Sequence, residues 1–162
     1  MGVRWPKRHV LAPILVLAVC VPPTLCAEEE HAASVPFVQP QTVKAWVKEG
    51  TAVMFLDVRE ADEFAAAHIP GARNIPHDHV ATIAAELPHD APIVVYCIHS
   101  THRAPEAAKT LRQLGFDNAY VMEGGLAAWE AGGQTILAED PKQSPKILPF
   151  TERCANKPKP AS

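Results

Sequence analysis

A cysteine, a run of polar residues and an arginine follow one another in Cys97-Ile98-His99-Ser100-Thr101-His102-Arg103. The run Ile93-Val94-Val95-Tyr96 before them is apolar and rich in β-branched residues. The run Glu106-Ala107-Ala108-Lys109-Thr110-Leu111 after them is helix-forming. The segment therefore reads as strand, loop and helix start, with a thiol at the base of the loop. Such a loop aims its backbone amides and the positive end of the helix dipole at one place. That field favours a thiolate over a thiol and seats an anion. A buried structural residue is the commoner fate of a lone cysteine, but Arg103 at this spacing favours the nucleophile. Cys97 is thus the candidate catalytic residue. Arg103, Ile98, His99, Ser100, Thr101 and His102 are the candidate substrate-binding residues.

The elements that must position this loop alternate in type. Thr42 to Glu49, with Val43, Trp46 and Val47 on one face, predicts a helix closed by Gly50. Ala52 to Leu56 is a continuous apolar run, the pattern of a strand buried on both faces. A short Ala-rich helix is expected over 61–67, a minor strand near Arg73-Asn74-Ile75, and a helix over 80–87. The central strand follows at 93–96, then a helix from Glu106 to Leu114 stopped by Gly115, and a strand at 119–122. Gly124-Gly125 turns into a last helix holding Trp129. Strands alternating with helices imply an α/β fold with a central, mostly parallel sheet and helices on both faces. Ligands of such sheets bind at the carboxyl ends of the strands, where Cys97 sits.

Arg4, Lys7 and Arg8, the apolar stretch Val10 to Val21 and the small Ala27 form the three-part pattern of a secretory signal peptide over residues 1–27. The apolar stretch is too short for a permanent membrane span. Export to a periplasmic or extracellular space after cleavage near Ala27 is expected, with lipidation at Cys20 as the alternative. Removing Arg4, Lys7 and Arg8 from 15 basic residues, against 18 acidic, leaves 12 against 18, a net charge of −6. That balance argues against nucleic-acid or anionic-membrane partners. Cys97 and Cys154 remain after cleavage, too few for a disulfide scaffold, although a bridge between them would silence the nucleophile. Residues 28–39 read as a flexible leader, 40–135 as the domain, and 136–162 as a disordered tail rich in proline and lysine. A monomer is expected.

Three ordered motifs resemble the rhodanese-like family. They are Asp57-Val58-Arg59-Glu60 with Phe64 and His68-Ile69-Pro70-Gly71-Ala72-Arg73-Asn74-Ile75-Pro76, the Cys97 loop, and Glu123-Gly124-Gly125-Leu126-Ala127-Ala128-Trp129. The resemblance covers roughly residues 40–133 and implies the rhodanese fold with Cys97 as the active-site cysteine. In sulfurtransferases of this family that cysteine accepts a sulfane sulfur and carries it as a persulfide. A small anionic sulfur donor and a thiol acceptor are then the expected partners, with no cofactor. The family's sulfurtransferase loop has the form C-x-x-G-x-[RS]. Here Ser100 stands at the glycine, His102 takes the sixth position, and the segment to Gly115-Phe116 is one residue longer. Read as C-x5-R, the loop resembles those of Cdc25-type phosphatases and rhodanese-fold arsenate reductases, which implies a phosphate or arsenate oxyanion instead. A non-catalytic binding module of the family is the third reading.

The remaining polar residues have structural readings. Asp57 and Arg59 are expected to form a charge pair at the end of the first buried strand, and His68 to brace the turn before Pro70-Gly71. His77, His79 and His89 read as surface loop residues, because their spacing collects no metal site. His99 and His102 flank the nucleophile and are placed to tune it or to bind an anion. Trp46 and Trp129 are assigned to the core, and Cys154 to the tail, where its sharper reading is a resolving thiol.

Overall fold

The computed structural model describes residues 34–148. The expected signal peptide with Cys20 and Cys26, residues 28–33 of the leader, and residues 149–162 with Cys154 lie outside the described residues. Among those described, no helix is long and apolar enough to cross a membrane.

Five strands form one parallel sheet in the order β1-β5-β4-β2-β3. They are β1 (Phe37–Val38), β2 (Met54–Asp57), β3 (Arg73–Asn74), β4 (Ile93–Tyr96) and β5 (Ala119–Met122). β4 lies in the middle, and all four of its residues are buried. Its side chains alternate across the sheet, as a period of two requires. Ile93, Val95 and the following Cys97 face one half of the core, Val94 and Tyr96 the other.

The first half is closed by α3 (Arg103–Gln113) and a 3₁₀ helix over His77–Glu86. Ala104, Ala107, Ala108 and Leu111 of α3 pack there with Val80 and Ile83. The small alanines let this helix lie close to the sheet. The second half holds Val43 of α1 (Pro40–Lys48) and Leu126 and Trp129 of α4 (Gly125–Ala131). Phe55 meets Trp129 edge-to-face, with ring centroids 5.5 Å apart. Trp129 is a core residue, and the half-buried Trp46 packs against the same cluster.

Three boundaries differ from the sequence expectation. α3 begins at Arg103 rather than Glu106, because Pro105 stands in the first turn, where a missing amide costs no helical hydrogen bond. The leader is used from Val35 onward: Val35 packs on the first half of the core, the Val121 amide donates to Pro36 O, and β1 extends the sheet. The stretch 136–148 does not run free as its proline and lysine content suggested. Leu137 exchanges both backbone hydrogen bonds with His68, and the amides of Glu139 and Lys146 donate to the carbonyls of Ala65 and Ala66. Those carbonyls belong to the end of α2 (Ala61–Ala66) and lack helical partners. Ile136 is buried, and Ile147 packs on the second half of the core. The strap thus caps α2.

Candidate active site

β4 delivers Cys97 to the carboxyl edge of the sheet, with the residue 5 % exposed. The chain then folds through residues 98–102 into α3. Two carbonyls of this loop are tied to α4: the Leu126 amide donates to Cys97 O at 2.9 Å, and the Ala127 amide to Ile98 O at 3.0 Å. A planar trans peptide points its N–H opposite to its carbonyl. The amides of Ile98 and His99 therefore face away from α4 and into the loop. α3 adds its own end to this arrangement, since His102 at the N-cap makes no side-chain cap and the first amides are left to the loop.

The close approach of α4 depends on Gly125, whose φ is +59°. A Cβ there would lie 2.2 Å from Cys97 O and 2.6 Å from Ile98 O. The Gly124-Gly125 pair is thus the device that lets the helix reach the loop backbone.

Within the loop, side chains divide between inside and outside. Ile98 and Ser100 are buried, whereas His99, Thr101 and His102 are exposed around them. Ser100 has φ +53°, the left-handed region that glycine enters most readily. It stands at the position where the family's sulfurtransferase loop pattern has glycine, and a non-glycine residue in this region is uncommon. Its Oγ turns inward and accepts the Cys97 amide at 3.4 Å. Ile98 is buried, with its side chain closed off from solvent. Thr101 Oγ1 and His102 Nδ1 hydrogen-bond at 3.0 Å on the rim. On the facing element, His77 Nε2 stands 3.8 Å from Glu106 Oε2 of α3.

Arg103 has a partner that no spacing in the sequence announced. Its Nη1 donates to Glu63 Oε2 at 2.6 Å and its Nη2 to Glu63 Oε1 at 3.0 Å, a bidentate fork between α3 and α2. Both side chains are nearly buried, at 5 % and 11 % exposure. The guanidinium expected to meet the substrate is committed to a carboxylate. Glu63 is itself set by local structure, as the third residue of α2 in a reciprocal capping box with Glu60. The spacing Glu60-x-x-Glu63 marks the capping box at the start of α2, but nothing in it points to Arg103.

Burial pushes the Glu63 carboxyl up, but the hydrogen bonds and charge of Arg103, helped by the Glu60 amide and the Arg59 charge, outweigh it and hold the group below its ordinary 4.5. A lowered folded value contributes stability that is complete above 4.5 and lost as pH falls through the folded value. Thermal unfolding followed from pH 7 to pH 3 should therefore show a Glu63 contribution confined to the acid side of about 4.5. That part of the slope should vanish in Glu63→Gln. A slope unchanged by the substitution would contradict the pairing.

Behind the loop lies a second buried pair. Arg59 Nη2 meets Asp57 Oδ2 at 2.6 Å, Arg59 Nε meets Asp57 Oδ1 at 2.9 Å, and neither side chain has exposed surface. Arg59 Nη2 also donates to Ala67 O. Asn74 of β3 donates to the carbonyls of Asp57 and Arg59. The Tyr96 hydroxyl accepts the Ile69 amide at 3.2 Å. Burial, the Asp57 charge and a hydrogen bond to Asp57 push this phenol far up, so it stays protonated. His68 Nδ1 lies 2.9 Å from Phe64 O, its ring stacked on Phe64, which braces the turn into Pro70-Gly71. Among the described residues no group of three or more His, Cys, Asp or Glu is placed to hold a metal ion.

A cysteine at the carboxyl end of a central parallel strand, in a loop of inward amides leading to a helix, defines a cysteine-loop α/β domain. The chain belongs to the rhodanese-like family, whose domain model matches residues 39–132, more than half of its length. It is 35 % identical over 91 residues to the thiosulfate sulfurtransferase GlpE of Pseudoalteromonas translucida, covering 56 % of this chain and 84 % of that one. With the thiosulfate sulfurtransferase GlpE of Pseudomonas aeruginosa PAO1 it shares 34 % identity over 94 residues, 58 % of this chain and 83 % of that one. Among solved structures, a rhodanese-like domain from Anabaena superposes with a TM-score of 0.60 at 26 % identity, covering 78 % of this chain and 94 % of its own.

Proposed function

We propose that the protein is a sulfurtransferase that carries a sulfane sulfur as a persulfide on Cys97. The carrying observation is the floor of the loop: a nearly buried Cys97 beneath amides turned inward by the bonds from Leu126 and Ala127. In the first half-reaction the Cys97 thiolate attacks the outer sulfur of the donor. The donor's S–S bond breaks, and its electron pair leaves with sulfite or a thiolate. The inward amides hold the charge of the new persulfide. In the second half-reaction an acceptor thiolate attacks the outer sulfur, and the Cys97 thiolate is restored. No electrons enter or leave overall.

The phosphatase and arsenate-reductase readings ask the loop arginine to clamp equatorial oxygens bidentately. Here Glu63 holds that guanidinium, which favours sulfur transfer. Retention of Cys97 speaks for an enzyme over a binding module. The basic start, the apolar run and Ala27 support action after export, with cleavage near Ala27.

Two half-reactions on one cysteine predict double-displacement kinetics. Initial rates with thiosulfate as donor and a thiol as acceptor should give parallel reciprocal plots, and Cys97→Ser should abolish turnover. Intersecting plots, or turnover surviving in Cys97→Ser, would overturn the proposal.

A further inference from the structure

Resting on the sulfur-transfer reading, we infer that Glu63 is a specificity-determining residue: by engaging Arg103 it withdraws a fixed positive charge from the cradle and selects donors of low charge, alkyl persulfides, over the thiosulfate dianion.

Four observations carry this. The two buried arginines at this end of the sheet are each matched with a carboxylate, Arg59 with Asp57 and Arg103 with Glu63. The Glu63 fork uses both terminal nitrogens of Arg103, and Glu63 Oε2 also accepts the Glu60 amide at 3.2 Å. The rim side chains His99, Thr101 and His102 include no lysine or arginine, and the carboxylate Glu106 stands beside His77. The chain as a whole is acidic, with 18 acidic residues against 15 basic. Amide dipoles alone suffice for one developing charge, but a dianion gains most from a full cation, and an acidic body repels it.

For an alkyl persulfide the step balances without any further reagent. The Cys97 thiolate bonds to the outer sulfur of R–S–SH, and the S–S bond breaks with its electron pair on the departing RS⁻. The proton stays on the sulfur now held by Cys97 or passes to RS⁻. The leaving group carries one negative charge, whereas sulfite from thiosulfate carries two.

The test compares kcat/KM for thiosulfate and for the persulfide of 2-mercaptoethanol at pH 8, where imidazole is ordinarily neutral, in wild type and Glu63→Gln. Releasing Arg103 should move the ratio toward thiosulfate by about ten-fold, the scale of one charge-assisted hydrogen bond. A second measurement needs no variant. In the wild type, kcat/KM for thiosulfate should stay level or rise as salt is added, because screening relieves repulsion. Loading of Cys97 in a folded Glu63→Gln with an unchanged ratio would overturn the inference and leave sulfur transfer standing. A steep fall of the wild-type thiosulfate rate with salt would do the same, and it decides the matter if Glu63→Gln does not fold. Failure of both donors to load the wild type would remove the sulfur-transfer reading itself, and this inference with it.

Discussion

Asp57→Ala should lower stability by about 3–5 kcal/mol, because it leaves the Arg59 guanidinium buried without its counter-charge. Arg59 has no exposed surface, and its Nη1 already lacks a protein partner. Without Asp57, its remaining side-chain bond is the one to Ala67 O. Domains of this size are stable by only about 5–15 kcal/mol, so the loss consumes a large share of the whole. Urea denaturation should show a much lower midpoint with little change in slope. Replacing both members, Asp57→Leu with Arg59→Met, should recover much of the loss, because the cost lies in the unpaired charge rather than in the absence of a pair. A single variant within about 1 kcal/mol of wild type would contradict this, being the range of exposed pairs.

Gly125→Ala should cut turnover by about a hundred-fold, since shifts of an ångström in reacting groups carry costs of that order. The added Cβ would meet Cys97 O at 2.2 Å, Ile98 O at 2.6 Å and Ile98 C at 2.8 Å, all of them backbone atoms that cannot swing aside. Either α4 withdraws, and the bonds from Leu126 and Ala127 to the loop are lost, or the loop moves and takes Cys97 with it. The fold should lose about 1–3 kcal/mol through overpacking and left-handed strain. Gly133→Ala separates these causes, because Gly133 also has a positive φ of +72° but nothing within 4 Å of its Cβ position. That variant should lose some stability and keep its activity. Equal activity loss in both would contradict the steric account.

The place of Cys97 was legible because each local signal agrees with its neighbours. Ile93 to Tyr96 is apolar at every position, as a strand covered on both faces must be, and Glu106 to Leu111 is strongly helical. The Asp57–Arg59 pair was legible because the two residues stand on one strand end and its exit. The partner of Arg103 was not, since Glu63 lies 40 residues earlier and only the fold brings α2 to the start of α3. Composition misled at residues 136–148, where proline and lysine suggested disorder. What holds that strap is backbone pairing with His68 and with the carbonyls of Ala65 and Ala66, and side-chain composition does not register such bonds. Ser100 looked like a departure from the family loop, and its φ of +53° lies in the region that glycine enters most readily.

The most direct test of sulfur transfer through Cys97 is the intact mass of the protein after brief exposure to a sulfane donor, thiosulfate or the persulfide of 2-mercaptoethanol. The wild type should gain one sulfur atom, lose it on addition of a thiol acceptor, and show no gain as Cys97→Ser. A protein that acquires no sulfur from either donor, or that acquires it equally without Cys97, would contradict the account.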